Sequence, residues 1–252
     1  MIWTPDKRIV TPRNRQGGFL LNPFRFGGGG GGGDDVDPHF DKVTALLKFD
    51  GEDESTTISD EVGVINWTAQ NDAQLDTSEK RFGLSALLLN GTNAYVTAGL
   101  APGLAMGEED LTVELFARIA SNSETRVFID TRSGPTDTGG FAFFNHSSGR
   151  IRVNVGNSTV AESAGSITED QWDHVAATRE NGTWRIFIVG DLDGTGSNSS
   201  NLSSSNNVTI GRSQSGSAYF QGHIDEMRFT KGVARYTASF TPPSAPFPTV
   251  GP

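Results

Sequence analysis

No cysteine occurs among the 252 residues, so disulfide frameworks, thiolate metal sites and cysteine nucleophiles are all excluded. Stability must come from packing and polar pairing. Long apolar runs are also missing. The "ALLL" at 86–89 is far short of the roughly 20 residues a membrane-spanning helix needs. The N-terminus carries charge where a signal peptide needs an apolar core, so the expectation is a soluble chain with no membrane insertion and no classical export signal. Histidine is scarce: the four, at 39, 146, 174 and 223, are scattered, and no Gly-x-Ser-x-Gly elbow accompanies them. Helical periodicity is missing over any useful length.

What is present begins with an uneven charge distribution. Residues 1–26 hold Lys7, Arg8, Arg13, Arg15 and Arg25 against Asp6 alone, a net of +4, which leaves −14 for the remainder of a chain whose formal net charge is −10. A basic arm joined to an acidic globule is attracted to acidic surfaces, while the globule repels polyanions, so no nucleic-acid partner is expected. The arm has prolines at 5, 12 and 23, which interrupt a helix. It also carries Trp3, Phe19, Phe24 and Phe26, aromatics that a solvated tail normally lacks and that read as anchors onto a partner. Seven glycines, 27–33, then form a tether. They lack the lysine and the strand-to-helix setting of a phosphate loop.

From Val43 onward the pattern has period two. "LTVELFARI" (111–119) places Leu111, Val113, Leu115, Ala117 and Ile119 on one side, and "RIRVNV" (150–155) alternates arginine or asparagine with Ile151, Val153 and Val155. Further strands are expected at 43–49, 74–76, 84–90, 93–98, 126–131, 140–145, 172–179, 183–190, 207–212 and 218–230, separated by Gly, Asn, Asp and Ser clusters that build turns. About a dozen short strands predict an all-β sandwich or jelly roll. The domain is expected over 42–237, after an arm at 1–41 and before a proline-rich strap at 238–252 whose prolines suit an edge or surface path.

Six stretches in order resemble the laminin-G-like, concanavalin A-like jelly roll found on phage and bacterial surfaces. They are "LLKFDG" (46–51), "KRFGLSALLLNGTNAYVTAG" (80–99), "LTVELFARI", "QWDHVAATRENGTWRIFIVGD" (171–191), "NVTIGRS" (207–213) and "GHIDEMRFTKGVARYTASFTPPSAPF" (222–247). The resemblance implies two antiparallel sheets face to face. Trp172 and Trp184 are then structural, and His174 is a satisfied core or edge residue. Tyr95, Tyr219 and Phe220, beside glycine turns, are the candidate sugar contacts. The stretch 190–207 is longer than the family's short turn and is read as an insertion.

The same fold hosts glucanases, which need two carboxylates at defined separation. Neither "GEEDLTVE" (107–114) nor "IDEMR" (224–228) supplies that spacing. Strict alternation in the second sets Asp225 with Met227 and Phe229, and Glu226 with Ile224 and Arg228, so the two acids are expected to point apart and Glu226 either to pair with Arg228 or to accept a backbone hydrogen bond. Catalysis is disfavoured. No cofactor is required; the resemblance admits calcium, with Asp50, Asp76 and Asp225 as ligands by motif position. "DLDGTGS" (191–197) begins like a calcium loop but lacks the later acid.

Two functions are expected from these features. The first is a phage virion protein, assembled in the host cytoplasm, whose arm anchors it to a major capsid protein or another virion protein and whose jelly roll faces outward as a capsid decoration. The second is a carbohydrate-binding adhesin or tail-associated protein that recognises a host surface glycan. A homo-oligomer suits either.

Overall fold

Sixteen strands pair into two antiparallel sheets in the computed structural model, which describes residues 36–204 and 206–252. The first sheet contains β1 (Val43–Leu47), β4 (Gln74–Asp76), β5 (Ala86–Asn90), β7 (Leu111–Ile119), β12 (Trp172–Glu180), β13 (Thr183–Ile188), β14 (Asp191–Ser197) and β16 (Gln221–Lys231). The second contains β2 (Thr57–Ile58), β3 (Trp67–Gln70), β6 (Tyr95–Leu100), β8 (Arg126–Asp130), β9 (Phe141–Asn145), β10 (Arg150–Val155), β11 (Ser158–Ser166) and β15 (Asn206–Ile210). Their inner faces interdigitate as expected of a sandwich. Phe128 packs on Phe143 and Phe220 with ring centroids 5.2 and 5.7 Å apart, and Phe141 packs on Trp184 at 5.6 Å. The all-β concanavalin A-like expectation is met. Residues 1–35 of the arm expected at 1–41 lie outside the described residues, and with them Trp3, Lys7, Arg8, Arg13, Arg15, Phe19, Phe24, Arg25 and Phe26.

The insertion at 190–207 is a strand rather than a calcium-like loop over its first half. β14 pairs with β13 and runs against β11 of the other sheet, closing that edge of the sandwich. The closeness explains the alternating glycines: a methyl group at Gly194 or Gly196 would overlap the carbonyl oxygen of Glu162 or Val160.

β16 is the spine of the first sheet. One edge pairs with β7 along its whole length, and the other is shared by β5, beside residues 221–224, and β1, beside 227–230. Between these halves lies a bulge. Asp225 is level with Phe116 and Arg228 with Glu114, so three steps on β16 match two on β7, and Glu226 takes φ 49°. The extra residue corrects the strict alternation expected of this segment. Ile224, Met227 and Phe229 enter the core, whereas Asp225, Glu226 and Arg228 all turn their side chains to the outer face. The two acids therefore lie together rather than apart.

Of the two roles expected for Glu226, backbone acceptor is the one found, for the Phe247 N–H, and Arg228 pairs elsewhere. Arg228 donates to Glu114 Oε1 from Nε (3.0 Å) and Nη2 (2.8 Å), and to Asp37 Oδ2 from Nη1 (2.9 Å). Glu114 Oε2 accepts from His174 Nε2 at 3.1 Å and from the Tyr236 hydroxyl at 2.8 Å. Arg235 closes the network onto Asp37 with bonds of 2.8 and 2.9 Å. Burial alone would raise the Glu114 pKa, but Arg228, His174 and Arg235 outweigh it and hold the carboxyl well below the usual carboxylate range. Asp37 lies within the stretch read from the sequence as arm, yet it is buried, and its N–H donates to Val250 O at 2.9 Å.

The strap at 238–252 follows the surface path expected of it. Phe240 stacks on Tyr236 at 3.5 Å, its N–H reaches Gly190 O, and Phe247 packs on Phe116 beneath the Arg228 guanidinium. Glu226 Oε2 accepts the Phe247 N–H at 2.9 Å while Oε1 faces Lys48 Nζ at 3.7 Å.

Two stability predictions follow from this face. Arg228→Ala strands the Glu114 carboxylate without its main partner and is expected to cost about 3–5 kcal/mol in urea unfolding; a loss below 1 kcal/mol would show the network to be incidental. Burial pushes Asp225 and Glu226 up to about 7, against the hydrogen bonds from Phe82, Arg81 and Phe247 that favour the ionised forms. A folded pKa above the unfolded value means that this contribution to stability is complete below pH ~4 and is lost as pH rises through about 7. Melting temperature is thus expected to rise between pH 8 and pH 5.5, and Glu226→Gln, which keeps an acceptor for the Phe247 N–H, should flatten the slope in calorimetry.

Candidate functional site

Among the described residues no strap covers the outer face of the second sheet. Along β9, Phe141 and Phe143 point into the core while Ala142 and Phe144 point outward, and Val127 of β8 joins them in a separate apolar cluster. A serine-rich loop leaves β15 and folds over this cluster. Its ends are held by the Arg212–Tyr219 backbone bridge and by the Ser213 N–H to Ala218 O bond of 3.0 Å. Inside the loop, Ser213 Oγ accepts the N–H groups of Ser217 and Ala218, and Gln214 N–H ties it down to Asp130 Oδ2 at 3.1 Å. Asp130 is in turn gripped bidentately by Arg132 at 2.8 and 2.7 Å.

Between loop and sheet lies a recess of about 160 Å³. Val127, Ala142, Phe144 and Ala218 give it an apolar lining, and Thr125, Asn154, Ser213, Ser215 and Ser217 supply polar groups. Asn154 Oδ1 is buried with no hydrogen-bond partner among the described residues. An apolar floor with a few convergent polar groups is the usual make-up of a small-ligand site. A wider, more open hollow of about 450 Å³ at the β11–β14 edge offers no aromatic face. Its Arg150 faces Glu162 at 3.8 Å, and its Asp193 already accepts the Gly165 N–H.

Two of the three predicted sugar contacts meet at the foot of the loop. The Tyr95 and Tyr219 rings are half-buried, with centroids 6.5 Å apart and planes tilted by 57°. Arg126 fixes this end of the loop by donating to Tyr219 O and Gln221 Oε1, each at 2.9 Å, and by pairing with Glu124. The Arg212 guanidinium lies 3.9 Å from the Tyr95 centroid. Phe220 is a correction. It is fully buried against Phe128, because adjacent residues of an extended segment face opposite sides and Tyr219 takes the outer one. Alternation in "AYF" carried that signal, just as alternation in "FAFFN" and "RIRVNV" placed Phe144 and Asn154 outward. Nothing local marked Arg212. Trp184 is core, and Trp172 is half-buried with Nε1 donating to Glu79 at 2.7 Å.

The three aspartates considered for calcium are not brought together as ligands. Asp225 accepts the N–H groups of Arg81, Phe82 and Glu226 at 2.8, 3.0 and 2.8 Å. Asp76 accepts from Ser78 N–H and Oγ and from His223 Nε2. Asp50 accepts the Leu84 N–H. Among the described residues no three Asp, Glu or His side chains converge on a metal position. Carboxylates already engaged by N–H donors fit the role of turn and loop holders, and the donor set does not fit a calcium cage. Asp225 and Glu226, though adjacent, are buried beneath the strap and the 81–84 segment, out of reach of a polysaccharide.

Comparison with solved structures gives the same sandwich. Domain 4 of AbnA, a GH43 extracellular arabinanase from Geobacillus stearothermophilus solved with arabinotriose, aligns at TM-score 0.56 and 18% identity over 76% of this chain and 93% of that one. The botulinum neurotoxin serotype D binding domain aligns at TM-score 0.56 and 12% identity over 79% of this chain, which spans half of that one. A Trypanosoma rangeli sialidase aligns at TM-score 0.56 and 13% identity over 77% of this chain and 32% of that one. At such identities the likeness is one of fold. No curated protein sequence matches the chain. The sequence profile described as the Concanavalin A-like lectin/glucanases superfamily matches residues 90–235, more than half of the chain, and the protein therefore belongs to that superfamily.

Proposed function

We propose that the protein is a carbohydrate-binding module and that it binds glycan on the outer face of its second sheet. The observation that carries this reading is the tyrosine pair at the foot of a serine-rich loop, next to a recess with an apolar floor and an unpaired acceptor. Sugars present an apolar ring face and an equatorial fringe of hydroxyls. A half-exposed tyrosine provides area for the first at little entropic cost, and serine and asparagine side chains pair with the second. The other outer face is closed by the strap. A glycan array probed with the full chain tests the reading: Tyr219→Ala is expected to weaken binding to the best sugar about tenfold, or about 1.4 kcal/mol, at unchanged melting temperature. No binding to any sugar at millimolar concentration would overturn it.

A second proposal concerns delivery. The charge split supports an arm that attaches the module to an acidic partner surface, with a virion protein such as a major capsid protein as the candidate. Asp37, near the start of the described residues, is pinned on the outer face of the first sheet by Arg228 and Arg235. Deleting residues 1–26 is expected to abolish particle association in co-sedimentation while sugar binding persists; unchanged particle occupancy would refute the anchor.

A further inference from the structure

The half-buried Arg212 has no partner for its charge among the described residues. Among the described residues, the other buried or half-buried arginines donate to a carboxylate or a carbonyl oxygen: Arg126 to Glu124, Arg132 to Asp130, Arg179 to Glu109 O, and Arg228 and Arg235 to Asp37. Arg118, Arg150, Arg152 and Arg185 likewise face acids. Among the described residues the Arg212 guanidinium makes no hydrogen bond and no ion pair, and its Nε is buried without an acceptor. The acids on this part of the face are already taken, Asp130 by Arg132 and the Gln214 N–H, and Glu124 by Arg126.

The position of Arg212 is nonetheless well defined. Its backbone pairs with Tyr219, its carbonyl accepts Thr209 Oγ1 at 2.7 Å, and its guanidinium lies over the Tyr95 ring at 3.9 Å. Stacking uses the flat side of a guanidinium and leaves its N–H fork free in the plane, the geometry that receives a carboxylate bidentately. Leaving a positioned, partly desolvated cation without an acceptor is costly inside a protein that has acidic residues to spare. The economical explanation is that the acceptor arrives with a ligand.

We infer that Arg212 makes this site selective for a sugar that carries a carboxylate, with the acid on the guanidinium fork and the sugar ring against Tyr219. The inference rests on the glycan-binding reading above and adds its ligand class. It also limits size and charge. Residues 27–252 carry −14 and repel polyanions, so one acidic residue on an otherwise neutral oligosaccharide suits the site better than a densely sulfated polymer.

Calorimetric titration of the full chain with sialyllactose, digalacturonate and lactose tests the assignment, using wild type, Arg212→Gln and Arg212→Lys. At least one acidic sugar is expected to bind tenfold or more tightly than lactose, and added salt should narrow the gap. Arg212→Gln should remove that preference and leave lactose within twofold. Arg212→Lys keeps the charge but not the planar fork, so it should lose several-fold on the acidic sugar; it carries the test if the glutamine variant melts early. Equal affinity for acidic and neutral sugars, or an acid preference that survives both substitutions, would overturn the role of Arg212 while the glycan reading stands. Absence of binding to every sugar of the array would remove both.

Discussion

The buried Glu114–Arg228 pair is the contact on which the outer face of the first sheet depends. A carboxylate and a guanidinium withdrawn from water attract strongly but lose hydration, and they are tolerated only when the remaining donors and acceptors are filled. His174 and Tyr236 occupy the second Glu114 oxygen, and Asp37 takes the remaining arm of Arg228. These partners come from a neighbouring strand, from the turn after β16 and from the start of the described chain. One ion pair thus fixes both ends of the domain on one face.

That arrangement depends on the bulge at Glu226. If the strand kept Glu226 but alternated strictly through it, Arg228 would face the core and Met227 would face outward, exchanging a thioether for a cation in the apolar layer. With it, Glu226 can receive the Phe247 N–H and hold the strap, while Asp225 receives the 81–82 backbone. The cost is two neighbouring buried acids whose ionisation the fold resists. The gain is a sealed face on that side of the sandwich; the outer face of the second sheet carries no strap among the described residues. There the serine-rich loop, the tyrosine pair and Arg212 are held by strands β6, β8 and β15, so their positions are set by ladder hydrogen bonds rather than by a mobile segment.

Much of this was readable in the linear chain, and the failures have specific causes. The alternations in 111–119 and 150–155 located β7 and β10 and their inner faces, because period two is the direct imprint of a pleated strand with one buried side. Tyr95 and Tyr219 were named as a pair of candidates, and they do meet. Phe220 was grouped with them because it is a neighbour in sequence, which in an extended segment is the reason it cannot share their face. Strands β2, β3, β11 and β14 escaped notice, being either very short or built from Ser, Thr, Gly and Glu with little apolar contrast. The strand at 191–197 looked like a cation loop because aspartate and glycine alternate in both; the glycines are there for the passage of β11.

Taken alone, the sequence determined the class of fold, the absence of thiol chemistry, the basic arm ahead of an acidic domain and the superfamily resemblance. All of these rest on composition or on patterns confined to one strand and its turns. The tertiary structure decided which face each side chain of 224–230 occupies, that Glu114 meets Arg228 across 114 residues of sequence, and that Arg212 meets no acid among the described residues. A single inserted residue reverses every face beyond it, and a charge becomes paired or unpaired only when distant strands are laid side by side, so neither outcome is written in any local stretch of the chain.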